Sequence, residues 1–390
     1  MAELLKVALL TYSTKPRGGV VHTLAVAEAL QQWGHQVTVY ALDKDGGGFY
    51  RPVNCPVQLV PTRPLAVPIE QVVEQRIQEF ITYFEHASET YDCYHAQDCI
   101  SANALAFLRQ QGRIPHFLRT VHHIDDFTSP YLQRCQDTSI REPDCCLCVS
   151  DHWQAALFQQ YQVRALRVSN GVDSARFSST LKADLRLALG LRGWPIYVTV
   201  GGIEPRKNSL VLLQAFIKIL KRYPKAQLVI AGGETLFDYD PYRRAFLALV
   251  EEAGVGDALV LPGVVAERDM PALYRTADAF VFPSVKEGWG LAVLEALASG
   301  IAVITADQPP FTEFLTPEDA LLVDPRAPEQ LAEAMHTILD REIAQRLTTR
   351  GLAVSARYSW SASALTHATI YSAFLATQKE NVHARNTLPD

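Results

Sequence analysis

Short, nearly continuous apolar runs alternate along this chain with stretches of helical period. Residues 5–11, 36–42, 57–61, 91–97, 116–121 and 145–149 read as strands. Apolar runs of roughly four to eight residues between turn formers suit strands buried on both faces. Helix patterns separate them: one ending near Gly34, then 68–87, 101–110 with Asp98 as a possible N-cap, and 151–160. The alternation resumes with strands at 195–200, 226–234, 259–265, 279–283, 301–305 and 321–325. Helices are expected at 210–223, 241–253, 269–276, 291–299 and 328–340, and the region 341–375 is helical with a break at Ser359-Trp-Ser361. Each strand leads into a crossover helix, which is the layout of a parallel sheet. The layout occurs twice, so the fold class is α/β with two Rossmann-like α/β/α domains. The boundary is expected near 175, and 176–195 reads as a linker with an entry helix. The polar tail 378–390 is expected to be frayed.

At 390 residues, the chain has room for two separate cores. Its net charge of −6, without a Lys/Arg block, offers no field for nucleic acid. No apolar run reaches the eighteen or so residues of a membrane span. Glu70, Glu74 and Glu79 make the helix over 68–87 a poor binder of anionic membrane. The N-terminus enters a strand with no signal-peptide layout. Seven cysteines, an odd number, argue for the cytoplasm rather than a disulfide framework. Cys145-Cys146-x-Cys148 has no partner pair at zinc spacing and reads as a buried strand. Asp238-Tyr239-Asp240 spells a metal–diphosphate signature, yet Asp240-Pro241 reads better as a helix start, so no metal is expected.

Three places carry chemistry. The first is the strand–loop–helix corner from Pro283 to Gly300. Glu287 and Glu295 frame it, and eight helical residues would separate them by about 12 Å, a distance that suits the two ends of a sugar nucleotide. Between them the backbone N–H groups of Gly288, Trp289, Gly290 and Leu291 approach a helix N-terminus, which favours phosphate. The second is Gly201-Gly202-Ile-Glu-Pro-Arg206-Lys207-Asn208, a strand exit with a basic pair. A departing nucleoside diphosphate gains negative charge, and without a metal that charge needs fixed cations and N–H dipoles. The third is the first domain's strand ends. Arg17-Gly18-Gly19 precedes the first helix, Asp98 ends a strand, and His122-His123 ends another, where open α/β sheets bind ligands.

Glu287-Gly-x-Gly290, Glu295-Ala296, Gly300 before the strand 301–305, and Asn170-Gly-Val-Asp173 together resemble the family-4 retaining glycosyltransferases (glycosyl transferases group 1). That resemblance implies a GT-B fold, with an acceptor domain over 1–175 and a donor domain over 176–359. A last helix, about 360–377, would cross back to the first domain, and closure near 170–178 would exclude water. It further implies a nucleotide-diphosphate sugar as donor substrate, an acceptor that is a glycan, lipid or small metabolite, and no cofactor. Thr-Val-His identifies His122, rather than His123, as the family's mid-domain histidine near the donor sugar and diphosphate. By the same resemblance Gly18 and Gly19 close over the diphosphate and Arg17 faces the acceptor pocket, with Asp98 and His123 on the acceptor side. Backbone at Val264 and Val265 meets the base, Glu287 the sugar hydroxyls, Glu295 the ribose, and Arg206 and Lys207 the diphosphate. The chain departs from the pattern at one point: Gly201-Gly202 stands where many relatives carry a strand-exit arginine. The GT-B scaffold also hosts epimerases and phosphorylases, and an inactive sugar-nucleotide-binding subunit is a further alternative. A monomer and a homodimer both fit the sequence.

Overall fold

The computed structural model describes residues 3–180, 183–233 and 240–386. They form two compact units: residues 1–170 with 360–390, and residues 171–359.

The first unit runs β1 (Lys6–Thr11), α1 (Gly18–Gln32), β2 (Gln36–Asp43), β3 (Val57–Pro61), α2 (Ile69–His86), β4 (Cys93–Ala96), α3 (Cys99–Gln110), β5 (Leu118–Val121), α4 (Pro130–Arg141), β6 (Cys145–Cys148), α5 (Asp151–Tyr161) and β7 (Leu166–Arg167). All pairings are parallel, in the order β3-β2-β1-β4-β5-β6-β7. The second unit runs β8 (Ile196–Val200), α6 (Ser209–Arg222), β9 (Gln227–Ala231), α7 (Asp240–Ala253), β10 (Leu259–Gly263), α8 (Met270–Thr276), β11 (Ala279–Phe282), α9 (Leu291–Ala298), β12 (Val303–Ala306), β13 (Leu321–Val323), α10 (Pro328–Thr337) and α11 (Arg341–Ser355). Its parallel sheet has the order β10-β9-β8-β11-β12-β13. The last helix, α12 (Trp360–Asn386), belongs to the first unit.

Each sheet reverses its winding once, between β1 and β4 and between β8 and β11. In doubly wound sheets, ligands bind at that switch, beyond the strand C-termini. The strands are buried on both faces: β1 is closed after its first residue, and β4, β5, β11 and β12 are closed throughout. Tyr197, Phe216, Phe246 and Leu228 fill the second core, and Leu10, Phe80, Leu105 and Phe117 the first. A fully buried apolar side chain of this size contributes about 1.5–3 kcal/mol relative to exposure.

Four expectations need correction. The boundary lies at Asn170/Gly171, slightly before 175. Residues 183–195 hold a turn rather than an entry helix, since only Leu189, Gly190 and Leu191 close helix-like bonds there. The terminal helix does not stop near 377 but continues to Asn386. Helix α4, with Ser129 before Pro130, was not expected, although Pro at a first helical position is a start signal. Asp238 and Tyr239 of the Asp-x-Asp signature lie outside the described residues, and Asp240 opens α7.

Candidate active site

The second unit's switch point brings together two segments about eighty residues apart. β8 and β11 are parallel neighbours, so their exits lie side by side. After β8 the chain makes a 3-10 turn, Pro205–Lys207, and Asn208 follows in a left-handed conformation at φ 59°. The loop after β11 is stitched to that turn: Val285 N–H donates to the Arg206 carbonyl at 2.8 Å, and Ser284 Oγ lies 2.8 Å from the same oxygen. Asn208 also donates its side-chain amide to the carbonyls of Pro283 and Pro325.

Arg206, Lys207 and Glu287 meet in this frame. Glu287 Oε1 accepts from Lys207 Nζ at 2.6 Å, from Ser284 Oγ at 2.7 Å and from Arg206 Nη1 at 3.1 Å. Burial pushes the Glu287 carboxyl upward, but Lys207, Arg206 and the hydrogen bonds outweigh it and hold the group below its ordinary range. Arg206 is also gripped by the buried Glu204, with Nε 3.1 Å from the carboxylate. The Lys207 ammonium lies 4.5 Å over the Phe282 ring.

The glycines here have a steric reason. A Cβ on Gly201, at φ +126°, would lie 2.8 Å from Lys207 Cε, so the lysine stem crosses bare backbone. A Cβ on Gly202 would lie 2.6 Å from the Gly233 carbonyl, and one on Gly233 2.6 Å from Val264 Cγ2. The exits of β8 and β9 are therefore packed backbone to backbone, with the Val264 side chain from the β10 exit closing on Gly233. The side chain that relatives carry after the first strand of this unit has no space at Gly202. The cations here are Arg206 and Lys207, and each is matched by a carboxylate.

Gly290 is the N-cap of α9 at φ 113°, and a Cβ there would lie 2.8 Å from Phe311. An eight-residue helix thus starts directly after the Glu287 loop, with its first N–H groups lacking intrahelical partners. The Trp289 side chain is buried, stacked on Phe314 at 4.9 Å, so only its backbone can meet a ligand. Glu295 stands apart from the Glu287 cluster in its partners. It accepts from the Tyr274 hydroxyl at 2.7 Å and is raised to about 7 by burial, with Glu267 adding to the rise and Tyr274 and Arg176 opposing it. Val264 is exposed and Val265 half-buried just after β10.

In the first unit, Arg17 caps α1 in extended conformation, and Gly18 and Gly19 form its first turn. The His122 ring lies against Gly19, 3.4 Å from where a Cβ would stand, and Nε2 lies 3.3 Å from Gln97 Oε1. Burial, with His123 and Arg119 nearby, lowers the His122 imidazole to about 3, so it is neutral at pH 7. His123 is exposed, and its Nε2 lies 3.1 Å from Asp125 Oδ1. Asp98 is structural in its contacts: Oδ1 accepts from Ser101 N–H at 2.8 Å, completing a capping box, and Oδ2 from Tyr12 N–H at 2.7 Å. Sequence reasoning missed Gln97, Glu204, Tyr274 and Ser284. Only Gln97 (at a strand end) and Glu204 (inside the basic motif) left a signal there. Among the described residues no group of three or more His, Cys, Asp or Glu side chains could hold a metal ion. No helix among them is long and apolar enough to cross a membrane.

Comparison with known proteins agrees with this layout. The model "Glycosyl transferases group 1" matches residues 189–351, and "Glycosyltransferase Family 4" matches residues 16–176. The D-inositol 3-phosphate glycosyltransferase of Corynebacterium glutamicum is 25% identical over 96% of this chain and 98% of its own. A GDP-mannose-dependent phosphatidylinositol monomannoside mannosyltransferase of Mycobacterium tuberculosis is 32% identical over 49% of this chain and 51% of its own. Among solved structures, sucrose-phosphate synthase from Thermosynechococcus elongatus superposes with TM-score 0.80 at 25% identity, covering 95% of this chain and 99% of that one. Anabaena HepE, in complex with UDP and glucose, shares the fold with TM-score 0.76 at 19% identity, over 94% of this chain and 99% of that one. Two doubly wound units, with both family models aligned in order along them, make this chain a member of the family-4, group 1 glycosyltransferases, enzymes of the GT-B fold.

Proposed function

We propose that this glycosyltransferase moves a sugar from a nucleoside-diphosphate sugar to an acceptor, with retention of configuration and without a metal ion. The observation that carries the reading is the Lys207–Arg206–Glu287 cluster at the second unit's switch point, beside the N-terminus of α9. As the glycosidic bond breaks, charge accumulates on the departing diphosphate. Lys207, Arg206 and the first N–H groups of α9 are fixed donors suited to take it. Glu287, held ionised by those same cations, is a hydrogen-bond acceptor for donor sugar hydroxyls. A carboxylate so neutralised is a weak nucleophile, which favours same-face substitution, with a phosphate oxygen of the leaving group taking the acceptor proton. Glu295, beside Tyr274, would accept from ribose hydroxyls. Val264 and Val265 would offer backbone to the base. On the first unit, neutral His122 would hydrogen-bond near the donor sugar beside Gly18 and Gly19, while Arg17 faces the acceptor, with Asp98 and His123 nearby.

Relatives are named for different donors and acceptors, so the base must be read by experiment. Thermal-shift measurements against UDP-, GDP- and ADP-sugars, with and without EDTA, are expected to show stabilisation by one nucleotide family in both conditions. Proton NMR of the transfer product should then show the donor's anomeric configuration. An EDTA-sensitive activity, or an inverted product, would overturn the metal-free or the retaining part of this reading.

A further inference from the structure

The two carboxylates at the α9 corner are held in opposite ways. Glu287 lies between two cations, Lys207 Nζ at 2.6 Å and Arg206 Nη1 at 3.1 Å. Glu295, inside α9 and part-buried, forms no ion pair among the described residues. Its Oε2 accepts from the Tyr274 hydroxyl at 2.7 Å, while Oε1 has no hydrogen-bond partner among the described residues. Tyr274 is fully buried on α8, its ring set edge-on to Phe177 at 5.9 Å and to Phe280 at 5.3 Å. Burial first, then the neighbouring Glu295 carboxylate, push its phenol well above the ordinary value, so it stays a donor. Two charged groups also act on Glu295. Glu267, in the 3-10 turn Glu267–Asp269 before α8, adds negative charge, and Arg176 opposes it. The Arg176 guanidinium is itself committed to Glu267, donating to its carboxylate and to its main-chain carbonyl. The other elements packed on α9, namely α11, β11 and β12, bring no further charged group against Glu295.

A locked phenol thus ties one oxygen of a carboxylate that has no cation of its own, and leaves the other oxygen free. We propose that Tyr274 is a positioning residue for donor binding: its hydroxyl holds the Glu295 carboxylate by Oε2 in the ionised form, with Oε1 given over to the ribose hydroxyls of the nucleotide. An ionised carboxylate only accepts, so it suits a pair of hydroxyl donors, and protonation turns part of it into a donor and weakens the contact. Burial raises the Glu295 carboxyl to about 7, against the downward pull of the Tyr274 hydrogen bond. A hydrogen bond to the charged form favours that form, so losing the phenol moves the ionisation to still higher pH. This rests on the nucleotide-sugar reading above and deepens it by naming the residue that sets the ribose contact.

The test is calorimetry on the whole chain with UDP, GDP and ADP and with their 2′-deoxy forms, between about pH 6 and about pH 9. Each ribo and deoxy pair carries the same diphosphate, so the ratio of their affinities cancels the titration of the phosphates. For the base that binds, the ratio is expected to be about tenfold or more at the alkaline end, the scale of a hydrogen bond to a charged group. It should fall severalfold toward the acid end as Glu295 takes up a proton. Tyr274→Phe should keep the alkaline ratio, which also shows that it is folded, and its fall should begin at higher pH. Glu295→Gln, neutral throughout, should show the low ratio at every pH. A parent ratio that is flat with pH, a Tyr274→Phe profile that superimposes on the parent's, or a pH-dependent ratio in Glu295→Gln would each overturn the proposal. A 13C NMR titration of the Glu295 carboxyl, assigned through Glu295→Gln, needs neither ligand nor a change at Tyr274. A midpoint there in the ordinary carboxylate range overturns the proposal as well. If no nucleotide of either kind binds, the nucleotide-donor reading fails and takes this proposal with it, whereas binding with a flat ratio sinks the Tyr274 and ribose assignment alone.

Discussion

Glu287 is a carboxylate whose charge is used twice, first to order two cations and then, in the proposed reaction, to orient a sugar. Glu287→Gln keeps the shape while removing the charge that ties up Lys207 and Arg206. Nucleoside diphosphate binding, read by calorimetry, is therefore expected to stay equal or tighten, while turnover falls by about a hundredfold or more, the scale of a lost transition-state contact. Equal losses in both would remove Glu287 from the reacting centre. Lys207→Ala should instead weaken nucleoside diphosphate binding by about 1–3 kcal/mol, as for a charge-assisted bond. Unchanged affinity would exclude the lysine from the diphosphate site. Both residues were legible in the sequence as members of motifs. Their mutual contact was not, because it depends on β8 and β11 becoming neighbours.

Two elements show why local rules were sufficient in one place and not in another. Gly290 and Gly300 both take positive φ, at 113° and 74°, at the two ends of α9, where sequence reading already puts a helix start and stop. Gly202 is different, since its φ is not positive and only the Gly233 carbonyl across the sheet makes it obligatory. Restoring the relatives' arginine with Gly202→Arg should therefore not strengthen the diphosphate site. It is expected to destabilise the protein by about 1–3 kcal/mol through overpacking, measured as a lower urea midpoint. A variant as stable as the parent, with tighter nucleotide binding, would contradict this account.

At the same scale, α12 meets α1 and β4 through a buried histidine group. His22 on α1 donates from Nδ1 to the Asn170 side-chain oxygen at 2.8 Å, and its ring centroid lies 5.4 Å from that of His367 on α12. His95 on β4 bridges Tyr371 of α12 at 2.7 Å and Thr120 of β5 at 2.9 Å. Burial lowers all three imidazoles below the ordinary value, His22 and His95 well below it and His367 to about 4. The unfolded chain, titrating near pH 6.5, thus binds more protons than the folded one as pH falls. Their stabilisation is complete above about pH 6.5 and is lost below it, by at most about 1.4 kcal/mol per pH unit for each histidine. Hydrogen exchange across α12, corrected for intrinsic rate, should be faster at pH 5 than at pH 7.5. Equal protection at both would show that the histidines do not titrate on opening.

For the whole molecule, the C-terminal helix closes the unit in which the chain began. Ser363, Ala364, His367, Ala368 and Tyr371 form its buried face, at spacings of three and four residues. A chain ending at Ser359 lacks every one of these contacts but keeps all of residues 171–359. It is expected to bind nucleoside diphosphate with unchanged affinity while amides of β1, β4 and α1 lose protection. Loss of nucleotide binding in that truncation would mean that the donor site is not contained in the second unit.

The sequence by itself determined the two α/β halves, most strand positions and the motifs at their ends, because apolar period, glycine punctuation and helix caps are local signals. It also carried the family, since those motifs sit in order along the chain. Tertiary structure decided the rest: that Arg206 and Lys207 close on Glu287, that Gly202 admits no side chain, and that Asp98 is used up as a cap. Each depends on which strand exits lie side by side, and parallel strand order is set by long-range pairing that leaves no mark within any one segment.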